Sequence, residues 1–214
     1  MNFAFTESQL STQKLARDFA EKELLPGVLE RDETSTFPVD TYKKMGELGL
    51  IGLPHPKEYG GQGGDYLSYA LAVEEVSKVD GSMGISYSVS TSLYAGSIMN
   101  SDATDDQKKR FLPDVLSGKS FGSFGLTEHS AGSDAAGQKT VAVKDGDHYI
   151  LNGSKCFITN GPLSDYFVVY SLTDPEQGTK GMTAFVLEKG MPGFSIGKVE
   201  NKMGLRSAAV SELH

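Results

Sequence analysis

The spacing of apolar residues changes near Gly118, and this change limits the possible folds more than any other feature of the sequence. Before it, apolar residues recur at the three- and four-residue intervals that are typical of amphipathic helices. After it, short segments rich in β-forming residues alternate with turn residues such as Asp145-Gly146. The sequence therefore predicts an α+β fold, with an N-terminal all-α helical bundle at residues 1–120 and an antiparallel β-barrel-like domain at residues 121–214.

Local signals set the limits of the predicted elements. Thr6 and Gln9 have the spacing of a capping box, which predicts a helix from Glu7, and Pro26 kinks or ends that helix. Prolines and glycines exclude a long regular element from residues 50–65. Further helices are predicted at 39–48, 66–79 and 83–99, and from Thr104 to near Pro113. Strands are predicted at 121–126, 139–144, 148–152, 155–158, 166–171, 182–188 and 194–198, with another interrupted at the end of the sequence.

Composition and charge exclude several classes of protein. The chain has 214 residues and a net charge of −8, whereas nucleic-acid binding needs clustered Lys and Arg, so we expect no nucleic-acid partner. A single cysteine, Cys156, permits no internal disulfide and fits a reducing compartment. No apolar run approaches the roughly 18 residues of a membrane span, and the first residues lack the features of a signal peptide. We therefore expect a cytoplasmic protein without a membrane partner.

A glycine-rich loop from Gly125 to Gly137 has the composition of a phosphate-binding loop. Gly132 lets a ligand approach the backbone, and the hydroxyls of Thr127 and Ser133 can donate hydrogen bonds. The loop joins a strand to a strand, which argues against a dinucleotide fingerprint or a Walker loop, because both need a helix to open at the glycines. A hairpin loop whose hydroxyls bond only to the protein is an equally good interpretation of these residues alone.

The same loop begins a set of three motifs that resembles a known family. Its Leu-Thr-Glu-x-x-Ala-Gly-Ser-Asp stretch, at residues 126–134, is followed by Asn-Gly-Ser-Lys at 152–155 and by Ile-Thr-Asn-Gly at 158–161. In this order the motifs resemble the flavin-binding domain of acyl-CoA dehydrogenases, and the short-chain, butyryl-CoA dehydrogenase-like members in particular. The resemblance extends over nearly the whole chain through further matches at 57–61, 106–113 and 202–206.

The resemblance implies an FAD-dependent oxidoreductase of fatty acid metabolism that removes the α proton and the β hydride of a short-chain acyl-CoA. It also implies that the chain is a fragment, because the family's β domain continues further and a C-terminal helical bundle follows it. For the full-length protein it implies a homotetramer that passes electrons to an electron-transfer flavoprotein. Two alternatives stay open: a same-fold enoyl-CoA reductase, oxidase or flavin monooxygenase, and a non-catalytic binding or assembly module.

By the same resemblance, the loop and a later strand bind FAD, and one helix lines the acyl pocket. Phe157 stands where the family often has Trp stacked on the flavin, and His129 stands where it usually has Pro. As plain strand or helix residues, the same side chains would simply belong to the protein core. The predicted FAD-binding residues are Phe124, Leu126, Thr127, Gly132, Ser133, Phe157, Ile158 and Thr159, and the predicted substrate-binding residues are Ser133, Val89 and Leu93.

The resemblance places the catalytic base outside this chain. In the family the base is usually a Glu of the C-terminal helical domain, and no residue here matches that motif. Glu128 matches instead a structural acid of the loop that can cap backbone amides. The four histidines have no metal-ligand spacing, so we expect no metal. We therefore predict no catalytic residue in this chain, and we expect the chain to be inactive by itself.

Overall fold

A computed structural model describes residues 4–214 of the chain, which divide into two compact units. The first unit extends to Phe121 and also contains Asn201–Ala208, and the second contains Gly122–Glu200 and Ala209–His214. Residues 1–3, where the first predicted domain begins, lie outside the described residues. Helices come first and strands second, so the predicted α+β class is confirmed.

Several helices of the first unit start where the sequence predicts, but the helix Val28–Thr34 was not predicted. Thr6 and Gln9 form the expected capping box before the first helix, and Thr104 forms a second one with Gln107. Two helical segments widen into π-helical turns, which the sequence did not predict. The α-helices are α1 (Glu7–Phe19), α2 (Val28–Thr34), α3 (Val39–Glu47), α4 (Tyr66–Val79), α5 (Gly81–Ser88), α6 (Gly96–Met99), α7 (Asp105–Phe111) and α8 (Pro113–Leu116), and the π-helical segments are Ala20–Leu24 and Val89–Ala95.

A buried carboxylate and a stack of aromatic rings hold the helical unit together. Glu75 on α4 accepts two hydrogen bonds of 3.0 Å from the guanidinium of Arg17 on α1, and a third of 3.1 Å from Lys78. Tyr42 stacks on Phe121 with ring centroids 4.1 Å apart. Paired charges stabilise the buried carboxylate, and the stacked rings add close apolar packing.

The late segment Asn201–Ala208 belongs to the helical unit although it follows seven strands in the sequence. The backbone amide of Arg206 donates to Asp32 Oδ1 over 2.9 Å, and its guanidinium donates to the carbonyl of Glu33. Lys202 closes the segment on itself by donating to the carbonyl of Ala208 over 2.6 Å. The hydrogen bonds from Arg206 to Asp32 and Glu33 thus connect Asn201–Ala208 to the helical unit, and the local sequence pattern does not indicate this connection.

The second unit contains eight strands in two sheets. The strand limits agree with the predicted segments to within a few residues, since the turn residues between them are local signals. The strands are β1 (Gly122–Gly125), β2 (Val141–Asp145), β3 (His148–Asn152), β4 (Lys155–Thr159), β5 (Tyr166–Leu172), β6 (Met182–Glu188), β7 (Ile196–Val199) and β8 (Val210–Leu213).

The pairing of these strands corrects the prediction of an antiparallel, barrel-like domain. One sheet has the order β1-β5-β2-β3, with β6 on β5, and the other has the order β4-β8-β7, so the described strands form no closed barrel. β1 pairs with β5 in parallel, Gly122 lying opposite Tyr166, and β2 also pairs with β5 in parallel. A parallel pair needs a long crossover, which residues 126–165 provide between β1 and β5. Hairpin signals cannot reveal such a distant pairing.

The core of the second unit is a compact apolar cluster. Ile158, Phe167, Val169 and Leu213 are buried together, and Leu187, Phe194 and Ile196 pack against them. The side chain of Ile158, a predicted FAD-binding residue, is therefore part of this core, and its carbonyl accepts a hydrogen bond from the amide of Gly161. In the described part of the chain, no helix combines the length and apolar character that a membrane crossing requires.

Candidate functional site

Two of the sequence motifs lie side by side in the second unit. The backbone amide of Cys156 donates to the carbonyl of Thr127 over 2.9 Å, which joins β4 to the start of the glycine-rich loop. At the other end of β4, Ser123 Oγ on β1 donates to the carbonyl of Thr159, also over 2.9 Å. The structure thus brings together two stretches that are about thirty residues apart in sequence, as the predicted site requires.

Phe157 is presented outward by an irregularity in its strand. One extra residue lies between Lys155 and Ile158 in the pairing of β4 with β8, which is a β-bulge, and Phe157 has a φ of 59°. A bulky residue with positive φ is uncommon, and such strained positions cluster at functional sites. The side chain is 60% exposed between two buried neighbours, and the ring of His129 stands edge-on to it at 6.3 Å. An aromatic face is therefore open to a ligand.

Of the two threonines predicted to bond the ligand, Thr159 ends β4, and Thr127 is bonded to Cys156, the residue before Phe157. Thr127 and Thr159 are both half-buried, and their backbone carbonyls are used by the contacts described above. Phe124 packs against Tyr170 at 5.4 Å, so its ring supports the sheet while remaining half-exposed. The half-buried Leu126 accepts a hydrogen bond through its carbonyl. The four residues are therefore partly open to a ligand.

The glycine-rich loop is open where the sequence predicts phosphate contact. Glu128 and Ala131 exchange two backbone hydrogen bonds of 3.0 and 3.1 Å, which form a tight turn before Gly132. A Cβ at Gly132 would meet nothing within 4 Å, and Ser133 is exposed. The loop then makes a single 3-10 turn at Ala135–Gly137 and continues into β2, so it joins strand to strand as predicted. Its backbone and hydroxyls are accessible to an anionic group.

A buried ion pair fixes the base of this loop. The carboxylate of Glu128 accepts from the backbone amides of Lys139 and Thr140, over 2.6 and 3.0 Å, and from the Thr140 hydroxyl. Lys155 Nζ donates to the same carboxylate over 2.8 Å and to Gln138 Oε1 over 2.7 Å. These bonds agree with the structural role expected for Glu128, which caps backbone amides and is not free to act as a base.

The protonation states of this pair follow from its surroundings. Burial by itself would raise the pKa of Glu128, but the hydrogen bonds from Lys155, from the Thr140 hydroxyl and from two backbone amides outweigh it and lower the pKa to about 2. Burial lowers the pKa of Lys155, and the adjacent carboxylate of Glu128 opposes that effect. Glu128 therefore remains ionised at neutral pH.

Gly153, in the Asn-Gly-Ser-Lys motif, permits close packing beside the ion pair. A Cβ at this position would lie 2.3 Å from Thr140 Oγ1, the hydroxyl that donates to Glu128. A cavity of about 210 Å³ adjoins this packing. Its walls are Glu128, His129, Ser130, Lys139, Thr140, Gly153 and Ser154. None of the predicted FAD-binding residues lines it.

The two predicted acyl-pocket residues belong to the helical unit. Val89 is buried and Leu93 is 40% exposed, and both lie in the π-helical segment Val89–Ala95. Within that segment the carbonyl of Thr91 accepts a hydrogen bond of 2.8 Å from the buried imidazole of His55. π-helical turns are rare and often occur at functional sites. The sequence does not predict this π-helical turn, because the spacing of apolar residues is compared with the fixed period of an α-helix.

The cluster of buried polar residues beneath the loop was not predicted from the sequence. Lys155 and Gln138 are among its central members, and neither was among the predicted site residues. A signal was present, because Lys155 directly precedes the apolar run Cys156-Phe157-Ile158. A charged residue at the start of an apolar strand is buried only when it has partners.

Two family models match consecutive parts of the chain. The acyl-CoA dehydrogenase N-terminal domain matches residues 6–119, and the acyl-CoA dehydrogenase middle domain matches residues 123–214. The short-chain-specific acyl-CoA dehydrogenase of Clostridium acetobutylicum is 51% identical over 213 residues, which are 100% of this chain and 56% of that protein. Caffeyl-CoA reductase-Etf complex subunit CarC of Acetobacterium woodii is 43% identical over 98% of this chain and 55% of that protein.

Solved structures agree with these sequence matches. Butyryl-CoA dehydrogenase from Megasphaera elsdenii matches with a TM-score of 0.95 at 45% identity, over 100% of this chain and 56% of that one. A glutaryl-CoA dehydrogenase from Mycobacterium smegmatis in complex with FADH2 matches with a TM-score of 0.91 at 34% identity, over 98% of this chain and 52% of that one. The chain thus spans little more than half the length of the relatives that it matches.

Proposed function

This chain belongs to the acyl-CoA dehydrogenase family, and we propose from that premise that its two domains serve an FAD-dependent enzyme that desaturates a short-chain acyl-CoA between its α and β carbons. One structural observation supports this proposal for the residues of this chain. The bulge in β4 exposes Phe157 beside the loop that begins at Thr127, and these are the two stretches that the family resemblance assigns to the flavin.

The residues present fit an aromatic cofactor with a phosphate-bearing tail. Phe157 offers an exposed ring for stacking, and the half-buried hydroxyls of Thr127 and Thr159 can bond polar ring atoms. Gly132 leaves open space next to the exposed hydroxyl of Ser133, which suits a pyrophosphate. FAD, when bound here, would supply the acceptor for the β hydride.

In this proposal the residues of this chain bind and orient the flavin and the acyl-CoA. Phe157 would hold the flavin ring by stacking, while the backbones of Phe124, Leu126 and Ile158 and the hydroxyls of the two threonines would set its rotation. On the helical unit, Val89 and Leu93 would line the acyl pocket, and Ser133 would also contact the CoA chain. The name of the 51% identical relative supports a short acyl chain.

We assign removal of the α proton to a group outside this chain. The carboxylate of Glu128 is buried, ionised and engaged by Lys155 and two backbone amides, so it is not available to a substrate. A general base must reach the proton that it removes. By itself the 214-residue chain would therefore bind without turning over.

The proposed partners follow the same family. Acyl-CoA is the substrate, and an electron-transfer flavoprotein is the electron acceptor, which the naming of a 43% identical relative as part of a reductase-Etf complex supports. We further propose that the full-length gene product is a homotetramer in the cytoplasm. The net charge of −8 supports the absence of a nucleic-acid partner.

The test uses the full-length gene product. Released cofactor is identified by chromatography after denaturation, and turnover of butyryl-CoA is measured with an artificial electron acceptor. We expect one FAD per chain and crotonyl-CoA as product. A colourless protein that does not take up added FAD would overturn the proposal, whereas bound FAD without turnover of any acyl-CoA would retain the cofactor and reject the desaturation.

A further inference from the structure

Lys155 is a buried cation that no part of the proposed chemistry uses. It begins β4, and only 2% of the residue is exposed. Its Nζ lies 2.7 Å from Gln138 Oε1, 2.8 Å from Glu128 Oε1 and 3.1 Å from the carbonyl oxygen of Leu126. An ammonium group can donate three hydrogen bonds, so all its donors are matched. A buried charge that is this well paired is costly to disturb.

The three acceptors share one property: they lie at the two ends of the glycine-rich loop. Leu126 and Glu128 precede the loop segment 129–137, and Gln138 follows it. A single ammonium group therefore joins both ends of the loop. The carboxylate of Glu128 adds two further bonds to the returning chain, through the amides of Lys139 and Thr140. We call the set Lys155, Glu128, Gln138 and Leu126 the loop clamp.

The loop clamp also adjoins Thr127 and Phe157, two of the residues that would contact a ligand. Thr127 lies between two of its members, and its carbonyl is held by the amide of Cys156, the neighbour of Lys155. Phe157 follows two residues after Lys155, in the bulge that begins at the clamp. Lys155 therefore holds both the start of the loop and the strand segment that exposes the ring of Phe157.

We propose that Lys155 is a positioning residue for the flavin site, which holds the loop in its binding conformation before FAD arrives and thereby sets the affinity for FAD. The inference rests on the proposed function, because it assumes that the loop binds this cofactor. Preorganisation raises affinity because a loop that is already ordered loses less conformational entropy when the ligand binds. Without the charge, Glu128 would lose its cationic partner, and the two ends of the loop would separate more readily.

The test compares two lysine variants of the full-length gene product. Lys155→Met keeps the length of the side chain and removes the charge. Lys139→Met removes an exposed charge from the same loop but leaves the clamp intact, since only the backbone amide of Lys139 bonds to Glu128. Each apoprotein is titrated with FAD after its native circular dichroism has been verified. We expect the Kd of Lys155→Met to rise at least about tenfold and that of Lys139→Met to change by less than about twofold.

Two further measurements separate positioning from general stabilisation. Hydrogen exchange on the apoproteins should be faster in residues 127–140 of Lys155→Met and unchanged in the helical unit. Lys155→Arg, which keeps the charge, should recover part of the FAD affinity. If Lys155→Met does not fold, the double variant Glu128→Gln/Lys155→Met, which leaves no unpaired buried charge, replaces it in both measurements.

The outcomes distinguish this inference from the proposed function. A wild-type protein that binds no FAD contradicts the proposed function, and the exchange experiment then still reports whether the clamp orders the loop. A wild-type protein that binds FAD, together with a folded clamp variant that binds it equally tightly, overturns the inference alone. Faster exchange throughout both units of the clamp variant would also overturn it, because the lysine would then be a general stabilising residue.

Discussion

His55 Nε2 donates a hydrogen bond of 2.8 Å to the backbone carbonyl of Thr91, inside the π-helical segment Val89–Ala95. Because a carbonyl can only accept, the nitrogen must carry the hydrogen. The loop that holds His55 is further tied to this segment by Thr91 Oγ1, which donates to the carbonyl of Ile51 over 2.8 Å. The two bonds thus tie the π-helical segment to the loop at residues 50–65.

This contact predicts a pH dependence of stability. Burial lowers the pKa of His55, although the bond to Thr91 opposes the effect. Below the unfolded pKa of about 6.5, the unfolded chain binds a proton that the folded chain resists, so stability falls as the pH falls. We expect His55→Gln, which keeps a donor, to lose less melting temperature between pH 7.5 and 5.5 than the wild type. His148→Gln, at an exposed histidine, should behave as the wild type. Equal pH dependence in all three proteins would contradict the role of His55.

Glu75 predicts a second, acidic transition. The hydrogen bond from Arg17 is the main cause that lowers its pKa to about 2, and Lys78 adds to it. Stability from this carboxylate is present above the unfolded pKa of about 4.3 and is lost as the pH falls towards 2. Glu75→Gln should lower the melting temperature at pH 7 by about 3 °C and flatten the loss below pH 4.5. The neighbouring Glu74 is more than half exposed, so Glu74→Gln is the matched control. A control that melts as low as Glu75→Gln would argue against the buried network.

Because Phe157 is exposed, replacing it should weaken the binding of FAD and change the stability of the fold little. The side chain is largely outside the core, so Phe157→Ala should leave the melting temperature of the apoprotein within about 2 °C. Loss of the stacking face should raise the Kd for FAD about tenfold, and Phe157→Trp should retain wild-type affinity. Val143→Ala removes a similarly exposed apolar group elsewhere in the unit and should alter neither quantity. Unchanged FAD affinity in Phe157→Ala would remove the ring from the site.

Replacing either of two glycines of the site by Ala should affect a different property, the stability of the apoprotein at Gly153 and the affinity for FAD at Gly132. A Cβ at Gly153 would clash with Thr140 Oγ1, so Gly153→Ala should destabilise the apoprotein by about 1–3 kcal/mol. A Cβ at Gly132 meets nothing, so Gly132→Ala should leave the melting temperature unchanged and weaken FAD binding, because the added methyl occupies space next to the loop backbone. Thermal unfolding of the apoproteins and FAD titration separate the two effects. Equal melting temperatures for both variants would contradict the packing described at Gly153.

Features of the fold that depend on neighbouring residues could be predicted from the sequence. The capping boxes at Thr6 and Thr104 and the turn at Asp145-Gly146 are local, and the elements that they limit lie where expected. The parallel pairing of β1 with β5 could not be predicted, because it joins segments across a long crossover and leaves no periodic signal. The return of Asn201–Ala208 to the helical unit has the same origin.

In the candidate site, too, local features could be predicted from the sequence and long-range contacts could not. Motif residues such as Thr127 and Phe157 were found because they lie within recognisable stretches, and the structure places their strands side by side. The bulge that exposes Phe157 depends on the pairing of β4 with β8, which the sequence does not reveal. Lys155 was missed because its partners Leu126 and Gln138 are 29 and 17 residues away. Contacts over such distances become visible only when the chain is folded.

Reduction of bound FAD by an acyl-CoA can be observed directly. The visible spectrum of the full-length gene product is recorded without oxygen, before and after addition of butyryl-CoA. We expect the flavin band at roughly 450 nm to bleach in the wild type, because hydride transfer from the acyl chain reduces bound FAD. Phe157→Ala reconstituted with excess FAD serves as a comparison and should bleach more slowly. A wild-type flavin that stays oxidised with butyryl-CoA and with longer acyl-CoA thioesters would contradict the account.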